Sequence, residues 1–473
     1  MREDFTNDQN KVVEIRDCNV LVSAAAGSGK TTVLVERVIT RLIHDNPPLN
    51  VDQLLIVTFT DAAASEMKER IHDAIEKALQ EHPDNEHLQR QATLIHQAKI
   101  MTIDSFCSSV IRENFHAIDL DPSYRVGEDG ELKLLKHDVL EAVIESYYEK
   151  GSPEFISFVE CFASRKDDCD LENLILRIHN RAQSYPDPEE WINSCTKNYQ
   201  IDSEQALDEA AFITNLLLDV RQIFRDLQLQ VEYAKTICDE EDGPLVYKTA
   251  LDSDMQQLQR LSEIEHYVEL HQALDDGKWK TFDRIKKGTV CEIKQQQVKD
   301  IRETYKKVVN DIKKKYFFDS VENIRQDMCY AGEHTKVLLD MAKTFGVMYA
   351  EAKRKKNLID FNDMEHLALE ILTEKREGKR VPTVVAKTYQ EKFAEIMIDE
   401  YQDSNYLQEE LLTSVSGISN GIYNIFMVGD VKQSVYSFRL ARPDLFMRKY
   451  ESYSSGHGNK QKIGLHKNFR SRK

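Results

Sequence analysis

The sequence predicts an α/β protein in which a parallel sheet, with helices on both faces, is split by a large all-helical insertion. Short apolar runs alternate with amphipathic stretches near the start of the chain, and similar runs return after residue 393. Such alternation is typical of a parallel sheet covered on both sides. The 17 glycines and 10 prolines among 473 residues are about half the average share, which favours helices over a turn-rich sandwich or barrel.

Three strands, each followed by a helix, are predicted in the first 118 residues. The strand candidates are the apolar runs Val20–Val22, Leu54–Val57 and Ile100–Ile103, because strands buried in a parallel sheet form continuous apolar segments. After each run, apolar residues recur three and four positions apart, which is the period of a helix. This order indicates strand–helix–strand units.

The alternation is lost between residues 119 and 357, where long charged stretches carry apolar residues at helical spacing. This block is predicted to be an all-helical insertion. Strand signals return at Ala394–Ile398, Asn424–Val428 and Lys462–Leu465. Without the insertion, the two halves would pair into one sheet.

The charge distribution limits the partners. The formal net charge is −18, so attraction to polyanions cannot come from net charge, and any nucleic-acid contact must be local. Residues 278–316 are a local exception, with 13 Lys and Arg against 5 Asp and Glu. This basic segment either follows a DNA backbone or is a solvated helix face.

Cysteine usage and hydropathy indicate the compartment. The eight cysteines are scattered and form no CxxC pair, which argues against a zinc site and against a disulfide framework. No run of about 18 apolar residues occurs, so no membrane-spanning segment is expected. These observations predict a cytoplasmic protein with no membrane association.

A phosphate-binding loop is predicted between the first strand and its helix. Glycines in this context let backbone N–H groups converge on phosphate oxygens, and the helix N-terminus adds partial positive charge. Lys30 would reach the β and γ phosphates of ATP, and the Thr31 hydroxyl would bind Mg²⁺. The alternative is a tight turn that holds no ligand. The loop and its first helical residues are Ala24, Ala25, Ala26, Gly27, Ser28, Gly29, Lys30, Thr31 and Thr32.

A second part of an ATPase site follows the apolar run that ends at Ile398. Asp399 is the candidate metal-binding carboxylate, and Glu400 is the candidate base for the attacking water. Lys30 and Asp399 are too far apart in sequence for one compact nucleotide-binding domain unless something is inserted, and the helical block at 119–357 is such an insertion. Exposed acidic turns are common, so the interpretation of Asp399 and Glu400 depends on the loop upstream.

These motifs, with five others in the same order, resemble the UvrD/Rep-type superfamily-1 DNA helicases. The resemblance implies a RecA-like P-loop NTPase domain. The stretches similar to the family's Q motif, motif I, motif Ia, the next DNA-contacting motif and motifs II, III and IV are, in order, 5–9, 24–32, 58–67, 102–107, 399–403, 428–439 and 465–471. Finer matches at 429–446 and 359–363 resemble the large subunit of bacterial helicase–nucleases of the AddA (RexA) type.

The resemblance implies roles for further residues at the nucleotide. Gln9 would read adenine, and Phe469 would lie on the adenine face. Gln433 would sense the γ phosphate, while Arg439 and Arg470 would stabilise the charge that develops on it. The chain departs from the loop pattern at Ala24, where the family has glycine.

The resemblance also implies a track for single-stranded DNA. Phe59, Tyr436 and Phe438 would present rings to bases, and a stacked base contributes about 1–3 kcal/mol whatever the sequence. Each of these rings could instead belong to the core. Contacts from Thr60, Thr102 and Ser105 follow from the same motifs, although Asp104 stands where most of the family has His.

The expected domain organisation follows from the same resemblance. Residues 1–118 and 358–450 would be the two halves of a RecA-like ATP-binding domain, and 119–357 the helical insertion. Residues 451–473 would begin a second, truncated RecA-like domain. Since translocation needs two such domains closing around the nucleotide, the chain alone is expected to bind ATP·Mg²⁺ weakly and to unwind nothing.

The resemblance implies that the complete protein is an ATP-dependent 3′-to-5′ DNA helicase that acts on single-stranded and duplex DNA. Its expected context is double-strand break repair and homologous recombination, in a heterodimer with a partner of the AddB (RexB) type. The exonuclease domain would lie beyond the present sequence. Two alternatives stay open: a P-loop ATPase that remodels a protein or loads a partner without unwinding, and a non-catalytic module whose helical block docks a second protein chain.

Overall fold

The structure is a computed structural model that describes residues 5–25, 27–118, 120–162, 168–286, 288–433, 440–465 and 467. The chain forms two compact units. The first unit comprises Met1–Ser146, Cys169–Trp191 and Met341–Lys473, and the second comprises Tyr147–Asp168 and Ile192–Asp340.

Strands and helices alternate at both ends of the chain, and helices dominate the middle. The strands are β1 (Asn19–Ala24), β2 (Leu54–Thr58), β3 (Lys99–Thr102), β4 (Arg125–Val126), β5 (Leu358–Ile359), β6 (Thr373–Arg376), β7 (Lys379–Pro382), β8 (Glu395–Ile398), β9 (Ile425–Gly429) and β10 (Lys460–Leu465). The α-helices are α1 (Asn7–Glu14), α2 (Lys30–Ile43), α3 (Asp61–Glu81), α4 (Glu86–Leu94), α5 (Ile103–Asn114), α6 (Asp129–Lys150), α7 (Pro153–Phe162), α8 (Cys169–Gln183), α9 (Pro188–Lys197), α10 (Glu204–Glu209), α11 (Ala211–Asp239), α12 (Lys248–Glu263), α13 (Tyr267–Asp276), α14 (Glu292–Tyr316), α15 (Val321–Lys355), α16 (Phe361–Leu372), α17 (Val384–Lys392), α18 (Tyr406–Ser414) and α19 (Pro443–Ser452).

The first unit is built on a six-stranded sheet with the order β10-β1-β9-β8-β2-β3. Every neighbouring pair in this sheet is parallel. The predicted α/β class with a parallel sheet is confirmed. β8 and β9, which follow the long helical stretch, lie between β1 and β2, so the two ends of the chain contribute interleaved strands.

Both faces of this sheet are covered by apolar helices, because successive side chains along each strand point to opposite sides. On one face Val20, Ile56 and Phe426 pack with residues of α2 and α3. On the other, Leu55 and Met427 pack with residues of α5, α16 and α18. This double burial explains why the strands are apolar at consecutive positions rather than at alternate ones.

The carboxyl ends of the six strands meet at one edge of the sheet. In an open parallel sheet, ligands bind beyond this edge, next to the point where the strand order reverses. The loops that leave β1, β8 and β9 carry three of the candidate motifs, and those three strands are adjacent. The topology therefore gathers segments that are hundreds of residues apart in the sequence.

Two small sheets were not predicted. β4 pairs with β5 in parallel, and β6 pairs with β7 as an antiparallel hairpin. The hairpin turns at Glu377 and Gly378, whose φ angles are 51° and 75°. Positive φ at both central residues is the geometry that matches the twist of a two-residue hairpin.

The second unit is helical and has its own core. Residues of α11, α12 and α14 form this core. Within it, Arg302 donates to Asp254 at 2.6 Å, and the Tyr305 hydroxyl donates to the same carboxylate at 2.5 Å. The start of the basic segment is irregular: Trp279 and Phe282 pack against the core, while its lysines at 278 and 280 are exposed.

Within the part of the chain that the structure describes, no helix combines the length and the apolar character needed to cross a lipid bilayer.

Candidate nucleotide-binding site

The loop between β1 and α2 has the backbone of an anion-binding turn. Gly27 and Gly29 have φ angles of 74° and 84°, a left-handed conformation that glycine adopts without a steric penalty. Gly29 is the N-cap of α2, and no side chain caps that helix. The first N–H groups of α2 therefore remain available to a phosphate.

A buried hydroxyl in this loop indicates what the loop accommodates. Ser28 is fully buried, and its Oγ makes no hydrogen bond to the described residues. A buried polar atom without a partner is costly, and native proteins rarely keep one unless a ligand or water satisfies it. The left-handed glycines, the uncapped helix and this hydroxyl together fit the phosphates of ATP.

The candidate adenine-reading residue lies directly against the loop. Gln9 forms a capping box at the start of α1 with Thr6. Its Nε2 donates to the Ser28 carbonyl at 3.2 Å. The side chain of Gln9 thus connects the N-terminal helix to the phosphate-binding loop, an additional role that sequence reasoning did not anticipate.

Asp399 and Glu400 leave the carboxyl end of β8. The Asp399 N–H donates to the Val57 carbonyl at 2.9 Å, and the Glu400 N–H donates to Asp399 Oδ1 at 3.0 Å. Burial raises the pKa of Asp399 to about 6, and the neighbouring Glu400 charge contributes to the rise, whereas Lys30 opposes the shift. A buried carboxylate with this raised pKa gains from a bound cation, because the cation offsets its desolvation.

Three predicted site residues converge in front of the loop. Lys30 Nζ lies 2.8 Å from Glu400 Oε2 and 3.1 Å from Oε1, and it donates to Gln433 Oε1 at 3.3 Å. An ammonium group, a carboxylate and an amide therefore meet from the segments that follow β1, β8 and β9. Phosphate oxygens would compete with Glu400 for Lys30, which would release the carboxylate to accept a proton from water.

Two predicted DNA-contacting threonines also have structural roles. Thr60 and Thr102 are the N-caps of α3 and α5 and accept from the N–H groups of Ala63 and Ser105. The Thr102 hydroxyl also lies 3.3 Å from Asp61 Oδ1. Since β2 and β3 are paired, the two loops lie side by side, and this cross-connection makes them one surface.

The remaining predicted contacts divide into two groups. Phe59 is half-buried directly after β2, and Ser105 is exposed at the start of α5. The predicted residues at the other positions lie outside the described residues. These are Ala26, Tyr436, Phe438, Arg439, Phe469 and Arg470.

A buried acid lies beneath the DNA-side loops. Glu365 on α16 is 6% exposed and accepts from Gln408 Nε2 at 2.7 Å. Burial raises the pKa of Glu365 to about 8; the bond from Gln408 opposes this shift, and the charge of Asp104 adds to it. At neutral pH this carboxyl is therefore protonated in the folded protein.

A pH-dependent stability follows from Glu365. Because its folded pKa lies above the unfolded value, its stabilising effect is complete at pH values below about 4.5 and is lost as pH rises towards about 8. We expect the wild type to lose roughly 2–4 kcal/mol relative to Glu365→Gln between pH 5 and pH 8. Urea unfolding at both pH values measures this difference. Glu370→Gln on the exposed face of α16 is the control, and identical pH profiles for wild type and Glu365→Gln would contradict the prediction.

The six-stranded parallel sheet with a glycine-containing loop at its carboxyl edge defines a RecA-like P-loop nucleotide-binding fold. Residues 5–454 match the model of the UvrD/REP helicase N-terminal domain. The chain belongs to this family.

Individual relatives agree with the family assignment. The chain is 47% identical, over 99% of its length, to an ATP-dependent helicase/nuclease subunit of the AddA type from Lachnoclostridium phytofermentans. It is 39% identical to the corresponding protein from Clostridium beijerinckii and 40% identical to that from Clostridioides difficile, again over 99% of its length. The chain covers 34%, 38% and 37% of these three relatives, so it spans little more than a third of their length.

Proposed function

We propose that this chain is the ATP-binding part of an ATP-dependent DNA helicase/nuclease of the AddA type. The observation that carries the proposal is the convergence of Lys30, Glu400 and Gln433 in front of an uncapped helix N-terminus. This constellation has the cation, the base and the phosphate-sensing amide that ATP hydrolysis needs. Family membership and the similarity to AddA-type relatives supply the DNA context.

In this proposal the loop 24–32 binds the phosphates, and Lys30 neutralises charge on the β and γ groups. Thr31 and Asp399 hold Mg²⁺, which when bound withdraws charge from the phosphates. Glu400 accepts the proton of the attacking water, and Gln433 reports whether the γ phosphate is present. Gln9 and Phe469 contact adenine, and Arg439 and Arg470 stabilise the transition state.

The proposed DNA track begins with the surface formed by the loops after β2 and β3. Phe59, Thr60, Thr102 and Ser105 come from these loops, and Tyr436 and Phe438 would extend the track from the loop after β9. A track of rings tolerates every base, as a motor requires. The proposed division is 1–118 and 358–450 for the ATP-binding domain, 119–357 for the insertion and 451–473 for the start of the second motor domain.

At the level of the whole protein, we propose 3′-to-5′ translocation on DNA in the cytoplasm, with an AddB-type partner and a role in double-strand break repair. The names of the relatives, which combine a helicase and a nuclease in one polypeptide, support this proposal. The catalytic cycle would couple ATP turnover to stepping between two motor domains.

Stimulation of ATP turnover by single-stranded DNA tests the proposed function. We expect an increase of at least tenfold in the full-length protein, because a motor hydrolyses ATP productively only on its track, and Lys30→Ala should abolish turnover and weaken nucleotide binding. Turnover that ignores DNA would favour an ATPase that remodels a protein. Partner binding without turnover in the wild type would favour a docking module.

A further inference from the structure

The Gln402 side chain connects the candidate base to the candidate phosphate sensor. Gln402 lies in the short helical turn 401–403 that follows β8 and is 1% exposed. Its Nε2 donates to Glu400 Oε2 at 2.8 Å and to Asp403 Oδ2 at 3.1 Å, and its Oε1 accepts from the Asp430 N–H at 2.9 Å. Both donors and one acceptor position of the amide are therefore used.

These bonds close a ring around the phosphate-binding site. Asp430 Oδ2 accepts from Gln433 Nε2 at 2.6 Å. Gln433 Oε1 accepts from Lys30 Nζ, which also donates to Glu400. The ring thus runs through Lys30, Glu400, Gln402, Asp430 and Gln433. Gln402 is the most deeply buried of these five residues.

The backbone around Gln402 is built for a close approach between β8 and β9. A Cβ atom on Gly429 would lie 2.4 Å from Gln402 Oε1 and 3.2 Å from its backbone nitrogen, so only glycine fits there. Glu400 itself has φ 48° and ψ 44°, a left-handed conformation that costs a non-glycine residue about 1 kcal/mol or more. Such a conformation persists only when surrounding contacts hold it.

The two groups that hold Glu400 differ in what they do when ATP arrives. Lys30 would turn to the phosphates and leave the carboxylate, whereas Gln402 is buried and keeps its hydrogen bonds to protein groups. Gln402 would then be the residue that keeps Glu400 aimed at water. Its bond to the Asp430 N–H would also transmit any shift of Gln433 to the base.

We infer that Gln402 is a positioning residue that orients Glu400 for proton transfer and couples it to the loop that carries Gln433. This inference rests on the proposed function, in which Glu400 is the base. Because Gln402 acts through Glu400 and not on the nucleotide, its loss should lower kcat and leave KM for ATP unchanged.

The test compares Gln402→Met with the matched variant Gln408→Met in the full-length protein with single-stranded DNA. Methionine keeps the side-chain volume and removes every hydrogen bond. Gln408 also donates to a buried carboxyl group, that of Glu365, so it controls for loss of an amide that bonds a buried acid. We expect kcat to fall 10- to 100-fold in Gln402→Met, with KM and ATP affinity within twofold of wild type, and no such fall in Gln408→Met.

A double variant separates positioning from general damage. In the Glu400→Gln background, adding Gln402→Met should cost less than twofold in single-turnover rate, because residues that act as one unit are not additive. A further tenfold loss in that background, or equal losses in Gln402→Met and Gln408→Met, would overturn the inference. Wild-type turnover in Glu400→Gln would overturn the proposed base, whereas a large Glu400→Gln effect with a normal Gln402→Met would overturn the role of Gln402 alone.

Discussion

Glu400→Gln is expected to lower DNA-stimulated ATP turnover by about 10²- to 10⁴-fold, the usual contribution of a positioned general base. The amide keeps the shape of the side chain but cannot accept a proton from water. ATP binding should be retained or strengthened, because Lys30 loses the carboxylate that holds it at 2.8 Å and is free to bind phosphate.

Steady-state turnover and equilibrium binding of a fluorescent ATP analogue measure the two effects separately. Glu374→Gln, on the exposed strand β6, is the control for removal of an acidic side chain and should behave as wild type. The contrast with Lys30→Ala is informative, since that variant should lose binding as well as turnover. Unchanged turnover in Glu400→Gln would mean that another group activates the water.

Glu395→Ala is expected to destabilise the first unit by about 3–5 kcal/mol, because it leaves buried guanidinium charge without a partner. Glu395 begins β8 at the edge of the sheet opposite the nucleotide. Its Oε1 accepts from Arg37 Nη2 at 2.6 Å and from Arg37 Nε at 2.9 Å, and its Oε2 accepts from Arg41 Nε at 3.0 Å. Glu395 and Arg37 are 3% and 1% exposed.

The titration of this cluster agrees with that expectation. Burial alone would raise the pKa of Glu395, but Arg37 and Arg41 hold it below its usual value. Burial lowers the pKa of Arg37, and Glu395 opposes that shift. Each charge is therefore tolerated because the other is present.

Urea unfolding, followed by the fluorescence of bound nucleotide, measures the predicted loss. Glu131→Ala is a matched control, because Glu131 makes the same two-bond contact with Arg125 at 2.8 and 2.9 Å, but on the surface, where ion pairs contribute little. Its unfolding midpoint should stay close to that of the wild type. A similar shift in both variants would show that burial does not set the effect.

The strands of the large sheet follow the sequence closely, and the physical reason is their burial on both faces. β2 begins at Leu54, where its apolar run begins, and β8 ends at Ile398, where its run ends. The order of the strands has no such signal. β1 lies next to β9 because of packing between segments about 400 residues apart, and no local pattern encodes that choice.

The site was partly predictable for a related reason. Lys30, Asp399 and Glu400 stand in local patterns that specify their chemistry. The pairing of Lys30 with Glu400, the contact between Thr102 and Asp61, and the ring through Gln402 depend on tertiary contacts. Gln402 had one available signal, its place two residues after Glu400 within the acidic motif. Its function became apparent only when β9 was seen beside β8.

The interleaving of the sheet has a consequence for the order of events during synthesis. β1 and β2 emerge early, but they are not neighbours: β9 and β8 fill the two places between them. A nascent chain that ends before residue 395 can pair β2 with β3, yet it leaves β1 without either of its partners, β9 and β10. The nucleotide pocket therefore cannot form until the ribosome has passed residue 429. ATP can assist folding only after nearly all of this chain has been made.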